Sequence, residues 1–284
     1  MDGAMVVANT DRIFAGNRAV GHIALIVESR GGITRRTRIH EAGSLRVRFP
    51  GSKPANSRSH GLEATIVNTA GGMAGGDCFD LEFSLGPGAR LTVTSIAAEK
   101  VYRSLGPDAT IRVKLRVGAG AYIAWLPQET ILFDRARLAR MIDLELAEDA
   151  CLLFAEAAVF GRSGMGEALE EGRLVDRWRV RRGGRLLFAE TMRLDGPIAK
   201  KLAQPAVANG GVAVATVLMV PGGQAAADAV HAIAGGFRGE VGASAWNGLA
   251  VARLCAADGA ALRHDLLAVL TLLAGGPLPR VWLN

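Results

Sequence analysis

Apolar and polar residues alternate with a period of two along the chain from residue 18 to about residue 195. In residues 79–85, phenylalanine and leucine alternate with acidic residues and serine, and residues 45–49 and 142–146 repeat the pattern with charged residues between the apolar ones. A period of two is typical of strands that bury one face and leave the other in water. The pattern therefore predicts a succession of β-strands over this part of the chain.

Turn signals separate the predicted strands. Gly31-Gly32 and Gly183-Gly184 each lie between two alternating segments, and consecutive glycines suit the primed turns of β-hairpins because both residues adopt positive φ. We predict a hairpin tip at both positions. Residues 50–61 are polar and poor in apolar side chains, which indicates an exposed loop.

An imperfect repeat of about thirty residues runs through the strand region. Three segments share an alternating strand, a tight turn that ends in alanine, and a second strand; the turn alanines are Ala89, Ala121 and Ala150. Repeats of this kind bury a continuous core by stacking on one another. Both a β-solenoid-like body and a layered β-sandwich accommodate them.

The last part of the chain has a different pattern. Residues 225–234 and 261–273 lose the period of two and show alanine-rich helical spacing, while Leu249, Val251 and Leu254 between them predict a strand. The expected fold is mainly β: a layered or solenoid-like antiparallel body over about residues 18–220, with two C-terminal α-helices in an addition over residues 221–284. We expect residues 18–284 to form a single domain and residues 1–17 to be a flexible N-terminus.

Composition and charge indicate the cellular compartment of the protein and the kinds of partner that it binds. The chain has 284 residues, 50% of them apolar, and a formal net charge of +6. Its arginines are spread along alternating segments such as residues 111–117, which is typical of the solvated face of a strand and not of a nucleic-acid interface. The three cysteines form no CxxC pair, the N-terminus lacks the apolar core of a signal peptide, and the longest apolar run, residues 212–220, is too short to span a membrane. We expect a cytoplasmic protein that binds neither nucleic acid nor membrane.

Four glycines, Gly71, Gly72, Gly75 and Gly76, lie within six residues and precede Asp77. A phosphate-binding loop requires a helix to begin directly after the glycines, whereas the residues after Asp77 predict a strand, so nucleotide binding is disfavoured. We expect either a tight crossing of the chain between two strands or a loop whose backbone and Asp77 contact a partner or an ion.

Five segments in the same order resemble the UreD (UreH) family of urease accessory proteins. They are TAGGMAGGD at residues 69–77, AEKVYR at 98–103, LPQETILFDRAR at 126–137, DRWR at 176–179 and ETMRLDG at 190–196. Residues 43–50 and 277–282 also resemble the family, so that the likeness extends from about residue 38 to residue 282. One glycine motif alone would be unspecific, but an ordered set over this length is specific.

The resemblance implies a function without catalysis. Members of the family are expected to bind a helical accessory protein, UreF, and through it a GTPase, UreG, and to dock on the urease apoprotein. Nickel is expected to pass from the GTPase through the interior of the scaffold to the urease active site. No tightly bound cofactor is implied, and Ni²⁺ would be bound only in transit.

Five acidic residues of the strand region are candidates for such a path. Glu99, Glu129 and Glu156 follow the three repeat turns at corresponding places, and stacked strands would bring their carboxylates about 5 Å apart. Two interpretations stay open. Either nearby arginines neutralise them, namely Arg103, Arg135 and Arg162, or the glutamates with Asp77 and Asp80 line a polar passage for a divalent ion. Carboxylates hold Ni²⁺ less tightly than imidazole or thiolate does, which suits transit.

A competing hypothesis is a β-solenoid carbohydrate-active enzyme with a carboxylate pair such as Glu129 and Asp134 as acid and base. The five histidines show no HExxH motif and no helical pairing, and no GxSxG motif is present, so the sequence favours a protein that is not an enzyme. Among the histidines, His60 in the polar loop could serve as a transient ligand, although no motif surrounds it.

Overall fold

Two β-sheets face each other across an apolar interior in a computed structural model that describes residues 17–50 and 61–283. The predicted flexible N-terminus, apart from Asn17, and the predicted loop at residues 50–61, apart from its two end residues, lie outside the described residues. The strands and helices below are numbered in chain order.

Seven strands form sheet A: β1 (Val20–Arg30), β2 (Ile33–Gly43), β5 (Cys78–Leu85), β8 (Ala109–Val117), β11 (Arg137–Leu146), β14 (Glu171–Arg182) and β15 (Arg185–Pro197). Their spatial order is β15-β14-β11-β8-β5-β1-β2.

Eleven strands form sheet B: β3 (Leu45–Arg48), β4 (Leu62–Asn68), β6 (Arg90–Ser95), β7 (Glu99–Val101), β9 (Tyr122–Leu126), β10 (Thr130–Leu132), β12 (Cys151–Arg162), β13 (Glu167–Ala168), β16 (Ala213–Val220), β17 (Glu240–Trp246) and β18 (Leu249–Ala256). The main order is β17-β18-β16-β12-β9-β6-β4-β3. Beside this row, β10 pairs with both β12 and β7, and β13 pairs with β12.

The thirty-residue repeat corresponds to stacked coils, each of which runs up sheet A and returns along sheet B. The backbone N–H of Gly118 donates to Leu85 O at 2.9 Å, and that of Ala147 donates to Val117 O at 2.9 Å, so that each turn lies on the one before it. The alanine at the end of each turn has no exposed surface, because it faces the interior where the chain crosses between the sheets. The mainly β, solenoid-like body predicted from the sequence is confirmed.

Strand direction differs from the prediction in the centre of both sheets. The strands β1, β5, β8, β11 and β14 run parallel to one another, as do β4, β6, β9 and β12. The predicted antiparallel orientation holds only at the sheet ends, as in the hairpins β1–β2 and β14–β15 and the series β12-β16-β18-β17. The physical reason is the coil itself: successive strands of one sheet are separated by a full circuit and therefore return in the same direction.

Both predicted hairpin tips are confirmed. Arg30 pairs with Ile33 across Gly31-Gly32, and Arg182 pairs with Arg185 across Gly183-Gly184. All four glycines have φ between 54° and 77°, a region that side chains with a Cβ rarely adopt.

Two aromatic pairs join the sheets across the interior. Phe83 of sheet A and Trp125 of sheet B have ring centres 5.6 Å apart, and Trp178 of sheet A and Phe154 of sheet B have ring centres 5.0 Å apart; both pairs meet edge to face. These rings are at most 5% exposed, so each pair adds directional contact to the burial of large apolar surface.

Three α-helices are present among the described residues: α1 (Ile198–Leu202), α2 (Gln224–Ala232) and α3 (Gly259–Ala274). The two predicted C-terminal helices and the strand between them are confirmed, whereas the five-residue α1 is too short to leave a periodic signal. Asp258 caps α3 by accepting from Ala261 N, and Gly275 ends it with φ of 61°. A second apolar cluster lies between this helix and sheet B. The extent of the predicted single domain stays a prediction.

No helix in the described part of the chain is long and apolar enough to span a membrane.

Candidate functional site

A cavity of about 490 Å³ lies between the last strands of the two sheets. Sheet A contributes side chains from β11, β14 and β15, and sheet B contributes side chains from β12, β16, β17 and β18. Carboxylates supply much of its polar lining: Glu156, Asp176, Glu190 and Glu240. The cavity therefore brings these carboxylates together with apolar side chains at one end of the space between the sheets.

Arg140 holds the base of the cavity through a buried ion cluster. Its guanidinium is paired with Asp176 of the neighbouring strand in sheet A, with Nε 3.0 Å from Oδ1, and with Glu156 of sheet B. Two indole N–H groups complete the cluster: that of Trp125 donates to Glu156 at 2.8 Å, and that of Trp178 donates to Asp176 at 2.7 Å. The three charged side chains are each at most 5% exposed, so the cluster is removed from water.

The charges in this cluster do not cancel. Burial raises the pKa of Glu156 to about 6, although the nearby Arg140 guanidinium opposes the shift. Burial by itself lowers the pKa of Arg140, but Asp176 and Glu156 outweigh it and keep the guanidinium charged. With both carboxyl groups ionised, one arginine faces two negative charges. The base of the cavity then carries one net negative charge, which favours a cation or a proton.

A second ion pair links the two sheets at the cavity. Arg253 of β18 donates from both terminal nitrogens to the two carboxylate oxygens of Glu190 in β15, at 2.8 Å each. The side chain of Arg253 is 55% exposed, so this pair lies at the solvent side of the cavity, in contrast to the buried Arg140 cluster.

Arg140 lies outside the family motifs, and Asp176 begins the DRWR motif at residues 176–179 but is not among the predicted site residues, although a signal for both residues exists. Arg140 lies between Leu138 and Ile142 in the inward phase of its strand, and Asp176 has the same phase in β14. A charged residue at a position that the alternation assigns to the core requires a partner or a function. The alternation of apolar and polar residues along β11 and β14 therefore contains a signal for both charged residues.

Glu129 faces the opposite side of sheet B from Glu156. Its carboxylate lies 2.9 Å from Nη1 of Arg263, on helix α3. The same guanidinium stacks on Trp282, whose indole N–H donates to Leu126 O at 3.0 Å. Glu129 therefore ties the segment before β10 to the C-terminal helix and the chain end, on the face that the helices cover.

Glu99 lies in β7, two strands away from Ala158 of β12, which lines the cavity, and Thr130 of β10 lies between them. Asn68 Nδ2 donates to its carboxylate at 3.0 Å and to Gly72 O at 3.1 Å, which connects Glu99 to the glycine motif. Burial raises the pKa of Glu99 to about 7, and the charge of Asp77 acts in the same direction. This carboxyl group is thus poised to bind or release a proton near neutral pH.

The three glutamates do not align as the repeat suggested. Thr130 pairs with Glu99 on one side and with Ala158 on the other, so that Glu129 is displaced by one residue and Glu156 by two. A displacement of one residue turns a side chain to the other face of a sheet. Their arginine partners also differ from the predicted ones: Arg162 pairs with Glu167 instead of Glu156.

The two aspartates occupy unlike positions. Asp77 is 5% exposed and accepts hydrogen bonds from the backbone N–H groups of Ala19 at 2.8 Å and Ala74 at 2.7 Å, so it closes the turn of the glycine motif. Asp80 lies on the outer face of sheet A, where it pairs with Arg112 at 3.1 Å.

The glycine motif is a close crossing over the segment that follows β7. A Cβ on Gly72 would lie 2.4 Å from the Tyr102 ring and 2.9 Å from Lys100 O, and a Cβ on Gly75 would lie 2.6 Å from Pro107 O. Gly71 and Gly76 have φ of 77° and 90°, which glycine adopts without strain. Two motifs that are distant in the sequence, residues 69–77 and 98–103, therefore form one packed unit.

Within residues 17–50 and 61–283, no group of three or more histidine, cysteine, aspartate or glutamate side chains is arranged to hold a metal ion. The cavity and the interior face of sheet B thus offer scattered carboxylate oxygens instead of a tight coordination site. His60, the candidate transient ligand of the polar loop, lies outside the described residues.

Comparison with known proteins decides the family. The sequence profile of the UreD urease accessory protein matches residues 19–283, which includes every strand and helix described above. The chain belongs to the UreD urease accessory protein family. A urease accessory protein UreD from Rhodopseudomonas palustris is 56% identical over 275 residues, 97% of each chain. One from Bradyrhizobium diazoefficiens is 56% identical over 275 residues, 97% of this chain and 98% of the relative.

Membership in the UreD family confirms the resemblance inferred from the ordered motifs. The family is one of accessory proteins, so the coarse functional expectation, a role as an accessory protein of urease, is also supported.

The glycine motif of this UreD-family chain generates a stability prediction. Gly75→Ala is expected to lower the free energy of unfolding by about 1–3 kcal/mol, because the new methyl group meets the Ser104 side chain and the backbone oxygen of Pro107. Gly106→Ala is the matched control, since no described atom lies within 4 Å of its Cβ, and a change within about 0.5 kcal/mol is expected. Urea unfolding of both variants measures the difference. Equal stability of the two variants would contradict the close crossing.

Glu99 generates a prediction on pH dependence. Its pKa is raised from the ordinary value of 4.5 to about 7 in the folded chain, so the unfolded chain releases this proton first as the pH rises. The contribution of Glu99 to the free energy of unfolding is therefore lost between about pH 4.5 and pH 7. Glu99→Gln removes this loss, and its unfolding free energy should fall less steeply over that range than that of the wild type.

Denaturant unfolding at a series of pH values measures both slopes. Glu82→Gln, on the outer face of sheet A beside Lys114, serves as the control and should keep the wild-type slope. If Glu99→Gln and the wild type had the same slope, Glu99 would not be a buried carboxyl group with a raised pKa.

Proposed function

We propose that this chain is a non-catalytic scaffold that supports nickel insertion into the urease apoprotein. The observation that carries the proposal is the family match over residues 19–283, because it covers the whole described architecture and not one motif. The partners we propose are those that the family resemblance implied: a UreF-like helical protein, a UreG-like GTPase and the urease apoprotein. The proposed compartment is the cytoplasm.

The route we propose for Ni²⁺ runs along the interior face of sheet B. It begins in the cavity at Glu156 and Asp176, whose shared arginine leaves one net negative charge when both are ionised. It continues past Thr130 of β10, which lies between Ala158 of the cavity lining and Glu99 of β7. It ends at Glu99 and Asp77, which act on each other electrostatically. Carboxylate oxygens alone bind Ni²⁺ weakly, so an ion could enter and leave each position.

Two of the candidate carboxylates are left out of this route. Glu129 faces helix α3 and is held by Arg263, and Asp80 lies on the outer face of sheet A beside Arg112. Both therefore face away from the interior between the sheets, and we propose structural roles for them.

The carbohydrate-active enzyme is the less favoured hypothesis. An acid–base pair requires two carboxyl groups that are free to meet a substrate. Glu129 is bound by Arg263, and Asp134 accepts hydrogen bonds from the backbone N–H groups of Glu170 at 3.0 Å and Glu171 at 3.2 Å. Both carboxylates are committed to contacts within the chain, which favours the scaffold.

The proposed route predicts an effect of Glu156→Gln on urease activation. Trp125 and Arg140 donate to different oxygens of Glu156, so the amide keeps an acceptor for one of these donors, and it removes the negative charge, so the cavity base becomes neutral. When the variant replaces the wild type in cells that produce urease and its accessory proteins at limiting nickel, the nickel content of purified urease should fall several-fold.

The matched control is Glu145→Gln, an acidic residue on the outer face of sheet A that pairs with Arg181 at 3.2 Å. It should leave the nickel content unchanged. Co-purification of the partners with Glu156→Gln should also be unchanged, because the substitution is buried. Full nickel content with Glu156→Gln would contradict the route, whereas loss of co-purification would show that the variant impairs assembly instead of transit.

A further inference from the structure

Two histidines lie side by side on the outer face of sheet A. The imidazole rings of His22 in β1 and His40 in β2 have centres 5.2 Å apart and planes inclined by 54°. In the antiparallel ladder His22 faces Ala42 and His40 faces Ala24, so the histidines are diagonal neighbours on one face. Diagonal positions of an antiparallel pair bring long side chains within reach of each other.

The spacing of the rings suits a shared metal ion. A metal bound by two imidazole nitrogens at about 2.1 Å, with a roughly tetrahedral angle between them, places the ring centres about 5 Å apart. The observed separation of the ring centres is 5.2 Å, which agrees with this spacing. Alanine lies opposite each histidine, which leaves space beside the rings.

The ring nitrogens of this pair are available for coordination. Within the residues that the structure describes, the imidazole rings of His22 and His40 make no hydrogen bond or ion pair, and the two rings contact each other. The other described histidines differ, because His231 accepts from the backbone N–H of Ala243 at 3.3 Å and His264 contacts Asp265 at 3.0 Å. The pair is therefore the stronger candidate for a metal ligand.

Acidic residues next to the pair do not complete a closed site. Asp80 is the residue beside His22 in β5, but Arg112 holds its carboxylate at 3.1 Å. Glu82, beside Ala24, pairs with Lys114 at 3.2 Å. The pair therefore offers two nitrogen ligands and leaves the remaining coordination positions to water or to a ligand from another molecule.

We propose that His22 and His40 form an open surface site for a divalent late first-row metal ion such as Ni²⁺, Cu²⁺ or Zn²⁺. Imidazole is a preferred ligand of these ions, whereas Mg²⁺ and Ca²⁺ prefer oxygen. The site lies on the outer face of sheet A, and the carboxylates of the proposed interior route lie between the sheets. It is therefore a second metal-binding position, and its existence does not depend on the interior route.

Metal titration of the full chain, purified without a polyhistidine tag, tests the proposal. Ni²⁺ binding followed by calorimetry should show one site that His22→Asn and His40→Asn each weaken by at least about tenfold, since one imidazole alone is a poor chelator. Cu²⁺ bound to the wild type should show coupling to two nitrogens in its electron paramagnetic resonance spectrum, and each variant should lose this pattern.

His231→Asn is the matched control, because it removes a histidine of the described chain outside the pair and should leave the Ni²⁺ affinity unchanged. All three substitutions are at positions outside the apolar clusters, so folded protein is expected in each case. Unchanged affinity in the His22→Asn/His40→Asn double variant would overturn the proposal, as would an equal loss in His231→Asn.

Discussion

The buried guanidinium of Arg140 is the interaction on which the interior of this fold depends. It joins Asp176 of its own sheet to Glu156 of the opposing sheet, and two tryptophan N–H groups donate to the same carboxylates. Removal of one member of such a cluster leaves an uncompensated charge away from water, which typically costs about 3–5 kcal/mol. The cluster thus fixes how the two sheets face each other at the place where apolar packing gives way to a cavity.

The cavity follows from this constraint. Apolar side chains would close the space between the sheets, as Phe83 does where its ring packs against the ring of Trp125. At Arg140 the inward positions are charged, and the space beside them remains open and carries more negative than positive groups when its carboxyl groups are ionised. Among the described residues, the apolar core of the stacked-coil body therefore gives way at Arg140 to a region with buried charges, and the proposed movement of a cation through the protein has a physical basis there.

Much of the fold could be predicted from the sequence, because its signals are local. The period of two, the paired glycines and the repeated turn alanines each describe a few neighbouring residues, and the structure agrees with all of them. The direction of the central strands could not be predicted in this way. Alternation predicts which face of a strand is buried. It does not predict which strand lies beside it, or whether the chain reaches that neighbour by a hairpin or by a full coil.

The site residues were harder to predict for a related reason. Glu99, Glu129 and Glu156 occupy similar places in the repeat, yet the pairing of Thr130 with Glu99 displaces Glu129 by one residue and turns it toward helix α3. Strand register is set by tertiary pairing, so the repeat indicates the carboxylates but not the faces on which they lie.

Blocking the cavity tests the central claim, that nickel for urease passes between the sheets. Gly242 of β17 lines the cavity and has no described atom within 4 Å of an added Cβ, so Gly242→Trp can place a large side chain there without backbone strain. Gly106→Trp introduces the same side chain in a surface loop and serves as the control. The account predicts that urease matured with Gly242→Trp contains much less nickel than urease matured with Gly106→Trp, with the partners still bound. Equal nickel content in the two ureases would contradict it.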